Sequence, residues 1–101
     1  MSASIKKTFV QYLKKKAHRI TNERFLILDA ATNISGHFDA DELYLKMKNE
    51  YINVSRATVY KTLELMSECG ILTKHNFKGL IIFNKIKHSL TIFNFGRRNI
   101  A

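Results

Sequence analysis

Apolar residues recur along this chain with two different periods, and the change of period falls near Gly70. Before it, spacings of three and four residues predict four helices in succession. The first covers about Ser4 to Lys16, with Ile5, Phe9, Tyr12 and Leu13 on one stripe and Lys14, Lys15 and Lys16 at the C-terminal end, where cations suit the helix dipole. The second follows Thr21, a predicted N-cap, and runs through ERFLILDAAT. Phe25, Leu26, Ile27 and Leu28 leave few polar positions, so this helix is expected to be central and largely buried. The third follows Asp39, which with Glu42 has the spacing of a capping box, and presents Ala40, Leu43, Tyr44 and Met47. The fourth lies in VSRATVYKTLELMSECGI, with Ser55 as N-cap, Val59, Leu63 and Met66 facing the core, Thr62 and Cys69 beside that stripe, and Gly70 as the residue that stops it.

After Gly70 the pattern becomes that of strands. ILTKHNFKGLIIFN predicts two short β-strands around a turn near Asn76 to Gly79. Four helices followed by a two-stranded wing, mainly α with a small β-hairpin, is the order of a winged helix-turn-helix. The expected organisation is a winged-helix domain over residues 1–84 and a basic tail over residues 85–101.

The fourth helix carries more than a packing face. Arg56 and Tyr60 are one turn apart, with Lys61 beside them, opposite Val59, Leu63 and Met66. A recognition helix needs this division, because its N-terminal residues meet base edges. Arginine pairs bidentately with guanine, and apolar atoms of Thr58 or Tyr60 meet a thymine methyl. Lys61 is expected on a phosphate. The plain alternative is that Arg56 and Lys61 are solvated and Tyr60 half-buried. The charge favours the first reading: 17 basic against 8 acidic residues give +9 in 101 residues, which suits an anionic partner.

Composition excludes other classes. No apolar run reaches the roughly 18 residues of a transmembrane helix, and the N-terminus MSASIKKTFVQYLKKK lacks the apolar core of a signal peptide, so a cytoplasmic protein is expected, without membrane association. The single cysteine, Cys69, is expected as a small core residue. No nucleophile–base pair, phosphate-cradling loop or paired carboxylate stands at a useful spacing; Asp39, Asp41 and Glu42 are accounted for by helix capping, so no enzyme is expected.

The runs HRITNERFLILDAA, HFDADELYLKM and VSRATVYKTLELMSECGILTKHNFKG resemble the ferric uptake regulator family of bacterial metal-responsive repressors, over about residues 5 to 79. The resemblance implies a winged-helix domain followed by a dimerisation domain, and repression at A·T-rich inverted repeats in double-stranded DNA when loaded with Fe, Zn, Mn or a similar metal. It implies that Tyr60 contacts bases and that Ser55, Arg56, Thr58 and Lys61 form the DNA-facing start of the helix. Arg19 resembles the family's basic residue at the minor groove, where narrow A·T-rich DNA attracts cations. Arg24 matches an arginine that reaches phosphate, or forms a surface salt bridge. His37 matches the one metal ligand that this domain supplies.

The family's other ligands do not follow. There is no Asp or Glu after Glu68, one histidine beyond residue 80 (His88) and no C-x-x-C. His18 and His75 are expected at the surface or near DNA, and His37 as a vestigial ligand, so no cofactor is assigned. Leu80 stands where the family has a second glycine, and the chain continues LIIFNKIKHSLTIFNFGRRNIA, β-prone and without acids. A reading-frame disruption or a short paralogue with its own tail would each produce this. Without a dimerisation domain, the gain of about 10²–10⁴ from linking two half-site readers is expected to be lost. The alternatives to a DNA-binding regulator are a module that pairs through its tail with itself or with a full-length relative, and a product without function.

Overall fold

The computed structural model describes residues 3–85, in the order α1 (Ala3–Lys15), α2 (Asn22–Thr32), β1 (His37–Phe38), α3 (Ala40–Asn49), α4 (Arg56–Glu68), β2 (Leu72–Phe77) and β3 (Leu80–Lys85). The expected tail falls outside the described residues except for Lys85, which closes β3. The helices start where capping chemistry places them. Thr21 is extended, and its hydroxyl accepts the Arg24 amide at 3.3 Å. Asp39 and Glu42 form a reciprocal capping box, with amide-to-carboxylate distances of 2.8 and 3.0 Å. Ser55 Oγ accepts the Thr58 amide at 3.1 Å.

Three helices also stop alike. At Ala17, Tyr51 and Gly70 the backbone turns left-handed, with φ of 58°, 63° and 88°. Each turn closes a Schellman pair: His18 to Leu13 and Ala17 to Lys14, Ile52 to Met47 and Tyr51 to Lys48, Ile71 to Met66 and Gly70 to Ser67. Only Gly70 carries the residue that makes such a stop strain-free.

The sheet has three antiparallel strands, ordered β1-β3-β2, so the expected two-stranded wing gains a short partner, with Phe38 opposite Phe83. The hairpin turns on Lys78 and Gly79, both left-handed, the geometry of a two-residue type I′ loop. Phe9, Leu13, Ile27, Leu28, Leu43, Met47, Val59, Leu63, Met66 and Phe83 are fully buried and form one core. Phe83 joins sheet to helices, its ring centroid 6.1 Å from that of Phe38.

Several positions depart from the expected pattern. α1 ends at Lys15, and Lys16 belongs to the turn. α2 buries Ile27, Leu28, Ala31 and Thr32, while Leu26 remains exposed and Phe25 half-buried. Leu65 and Thr62 are buried with the α4 stripe, and among the described residues Thr62 Oγ1 finds no hydrogen-bond partner. Cys69 is half-buried at the cap of α4, and burial pushes its thiol up to about 11. The Tyr12 hydroxyl donates to Glu68 Oε1 at 2.5 Å, tying α1 to the end of α4; this bond raises the phenol to about 12.

Candidate nucleic-acid interface

The α3–turn–α4 unit sets one end of α4 at the surface. Val59, Thr62, Leu63 and Met66 bury one side, which leaves Ser55, Arg56, Tyr60 and Lys61 exposed on the other. Tyr60 keeps 46% of its surface in water. Thr58 is half-buried; its side-chain oxygen lies 2.8 Å from Ser55 Oγ, so both hydroxyls serve the helix cap. What they fix is the start of the helix, whose first amides have no carbonyl partner within it.

Arg56, the first residue of α4, is held from α3. Its Nη1 lies 3.3 Å from Asp41 Oδ1, and its guanidinium stands 4.7 Å from the centroid of the Tyr44 ring. Spacing along α4 gave no sign of either partner, because both belong to another helix. Arg24 and Lys61, far apart in sequence, line one shallow depression of about 260 Å³ with Ala57, Thr58 and Thr62. The walls of the depression are mainly apolar, with the two cationic side chains among its lining residues. The Arg24 guanidinium also donates to the Arg19 carbonyl, which fixes the backbone that carries the exposed Arg19.

The wing stands beside α4. Lys74 Nζ lies 2.8 Å from Glu64 Oε2 and 2.9 Å from Oε1, a clamp between β2 and the middle of α4. This hydrogen bond raises the lysine above its ordinary value. At the tip, Phe77 and Leu80 are 60% and 50% exposed, with the Lys78 ammonium 5.6 Å from the Phe77 ring. Such a tip presents apolar and cationic groups together.

His37 is exposed on β1, and the sheet brings it close to His75 of β2, with ring centroids 6.3 Å apart. Nothing in the spacing along the chain announces this approach, since the two strands are joined only through β3. No group of three or more His, Cys, Asp or Glu side chains converges among the described residues, and His88 lies outside them. A transition-metal centre needs about four converging ligands for zinc. The described residues do not fit one. Also among the described residues, no helix is long and apolar enough to cross a membrane.

The ferric uptake regulator family model matches residues 15–91, which span α2 to β3 and the whole exposed face. The chain belongs to the ferric uptake regulator family. Among the family's proteins, the ferric uptake regulation protein of Brucella abortus is 34% identical over 74 residues, covering 73% of this chain and 52% of that protein. The peroxide operon regulator of Bacillus subtilis is 35% identical over 72 residues, covering 71% of this chain and 50% of that one. The crystal structure of the Vibrio cholerae ferric uptake regulator superposes with a TM-score of 0.64 at 31% identity, over 77% of this chain and 61% of that chain. That structure reveals a rearrangement of the Vibrio cholerae protein's DNA-binding domains. The chain spans about half the length of the curated relatives it matches.

Proposed function

We propose that residues 3–85 are the DNA-binding unit of a transcriptional regulator, and that the start of α4 enters the major groove of double-stranded DNA. The observation that carries this reading is the division of α4: a fully buried side of Val59, Leu63 and Met66, and opposite it an exposed Arg56, Tyr60 and Lys61 beside a clamped wing. Tyr60 meets a thymine methyl and Arg56 a guanine edge. Lys61 and Arg24, around their shared depression, take a phosphate, which positions the helix without reading sequence. Arg19 reaches the adjacent minor groove. Family membership supports an A·T-rich inverted repeat as the target and a dimer, with itself or with a full-length relative, as the bound form. The reading is of a binding protein rather than an enzyme, in keeping with the family; among the described residues the Tyr12 phenol and the Lys74 ammonium are held by Glu68 and Glu64. Family members answer to divalent metals, but the described residues bring together no ligand set that fits one.

Fluorescence anisotropy with an A·T-rich inverted-repeat duplex, and a scrambled duplex of equal composition, at two salt concentrations tests the reading. Tighter binding to the repeat, abolished by combining Arg56→Ala with Tyr60→Ala, is expected. Affinity for both duplexes unchanged in that double variant would remove α4 from the interface.

A further inference from the structure

The Arg56–Asp41–Tyr44 cluster carries a consequence for specificity that rests on the DNA-binding reading above. We propose that Asp41 and Tyr44 are positioning residues that turn Arg56 from a phosphate binder into a guanine reader. Both partners lie on the first turn and a half of α3, three residues apart and so on one face of it. From there they reach across to the first residue of α4: a carboxylate oxygen at 3.3 Å from Nη1, and an aromatic face 4.7 Å from the guanidinium carbon.

An exposed ion pair adds little stability, and the side chains of Arg56 and Asp41 are both more than half exposed. Its effect here is on what the guanidinium can still bind. The fork has five N–H donors, and a carboxylate at one nitrogen leaves the others free. Stacking on Tyr44 removes rotamer freedom that a free arginine would lose on binding. The cost of pairing with guanine O6 and N7 is therefore reduced in advance. Phosphate is treated differently. The Asp41 charge offsets that of Arg56 and opposes an approaching anion, so this arginine contributes little to counterion release. Lys61, at the same end of α4, has no such carboxylate among the described residues and keeps the phosphate role.

Selection of binding sites from a pool of randomised duplexes by the full chain, with a salt titration on one scrambled duplex, tests this. The unsubstituted chain should enrich a motif with a G·C pair whose preference, roughly 5- to 150-fold for a bidentate contact, disappears in Arg56→Ala. Asp41→Asn should weaken the same preference, bind the scrambled duplex more tightly, and steepen the log K against log salt slope by roughly 0.9, one added phosphate contact. Asp41→Glu should restore both, which a merely structural loss at the start of α3 would not explain, and once Arg56 is alanine Asp41→Asn should leave the base preference unchanged, tightening the scrambled duplex only through the lost repulsion. Melting curves verify that each variant is folded. An Asp41→Asn variant with preference and slope unchanged overturns the inference while leaving DNA binding in place. A guanine preference that survives Arg56→Ala does the same. A pool from which the unsubstituted chain enriches no motif overturns the proposed function itself, and the inference with it.

Discussion

Replacing Tyr51 with glycine should make this protein more stable. Tyr51 holds φ at +63° to close the end of α3, and 97% of its surface is in water, so its side chain contributes no packing that glycine would lose. The left-handed conformation costs an L-residue about 1–2 kcal/mol. Glycine avoids that cost but loses more backbone entropy on folding, about 0.5–1 kcal/mol. Between the middles of the two ranges the difference leaves about 0.75 kcal/mol in favour of Tyr51→Gly. In a domain of this size that raises the melting temperature by roughly 2–8 °C. The Schellman bonds from Ile52 to Met47 and from Tyr51 to Lys48 are backbone bonds and survive the exchange. Thermal unfolding followed by circular dichroism, with urea midpoints at constant m-value, measures the gain. Gly70→Ala is the mirror experiment: the same turn at φ +88°, with open space around a new Cβ, should lose stability from backbone strain alone. A Tyr51→Gly variant that melts at or below the parent temperature would refute the argument, since no side-chain contact is available to account for the loss.

Two other outcomes follow from the local chemistry. Ser55→Ala removes the acceptor of the Thr58 amide and should cost about 0.5–2 kcal/mol of stability, read from urea midpoints; Ser55→Asp, which can still cap, should recover most of it. Cys69, with its thiol pushed up to about 11 from 9.0, should be slow to alkylate. At pH 8 about one thiol in a thousand is ionised, against about one in ten for the unshifted group, so iodoacetamide should react ~100-fold more slowly than with the urea-unfolded chain. Because the folded chain favours the neutral thiol, this contribution to stability is complete below about pH 9 and is lost as the pH rises through about 11.

Much of the fold could be read from local pattern because its helix starts are marked by side chains. Thr21, Asp39 and Ser55 each cap the helix that their spacing announced. Helix ends were legible only where glycine marks them: Gly70 was visible, whereas Ala17 and Tyr51 adopt the same turn with residues that give no signal. β1 escaped notice because two residues cannot display a period of two; it exists because Phe38 has Phe83 to pair with. The exposed face of α4 was legible for the same reason as the core, as the complement of a helical stripe. Its partners were not. Asp41 and Tyr44 beneath Arg56, Arg24 beside Lys61, and His75 beside His37 meet through tertiary packing, which no spacing along the chain encodes.

The strand order β1-β3-β2 also constrains the sequence of events in folding. β2 and β3 are joined by a two-residue turn, so this hairpin can close early, on the roughly 1–10 μs scale of such units. β1 is joined to β3 through all of α3, α4 and β2, and the ends of so long a loop meet only after its entropy has been overcome. The pairing of Phe38 with Phe83 is therefore expected late, after the helices have gathered around the core. Two residues supply few ladder hydrogen bonds, so low protection against amide exchange is expected at this edge of the sheet, beside His37.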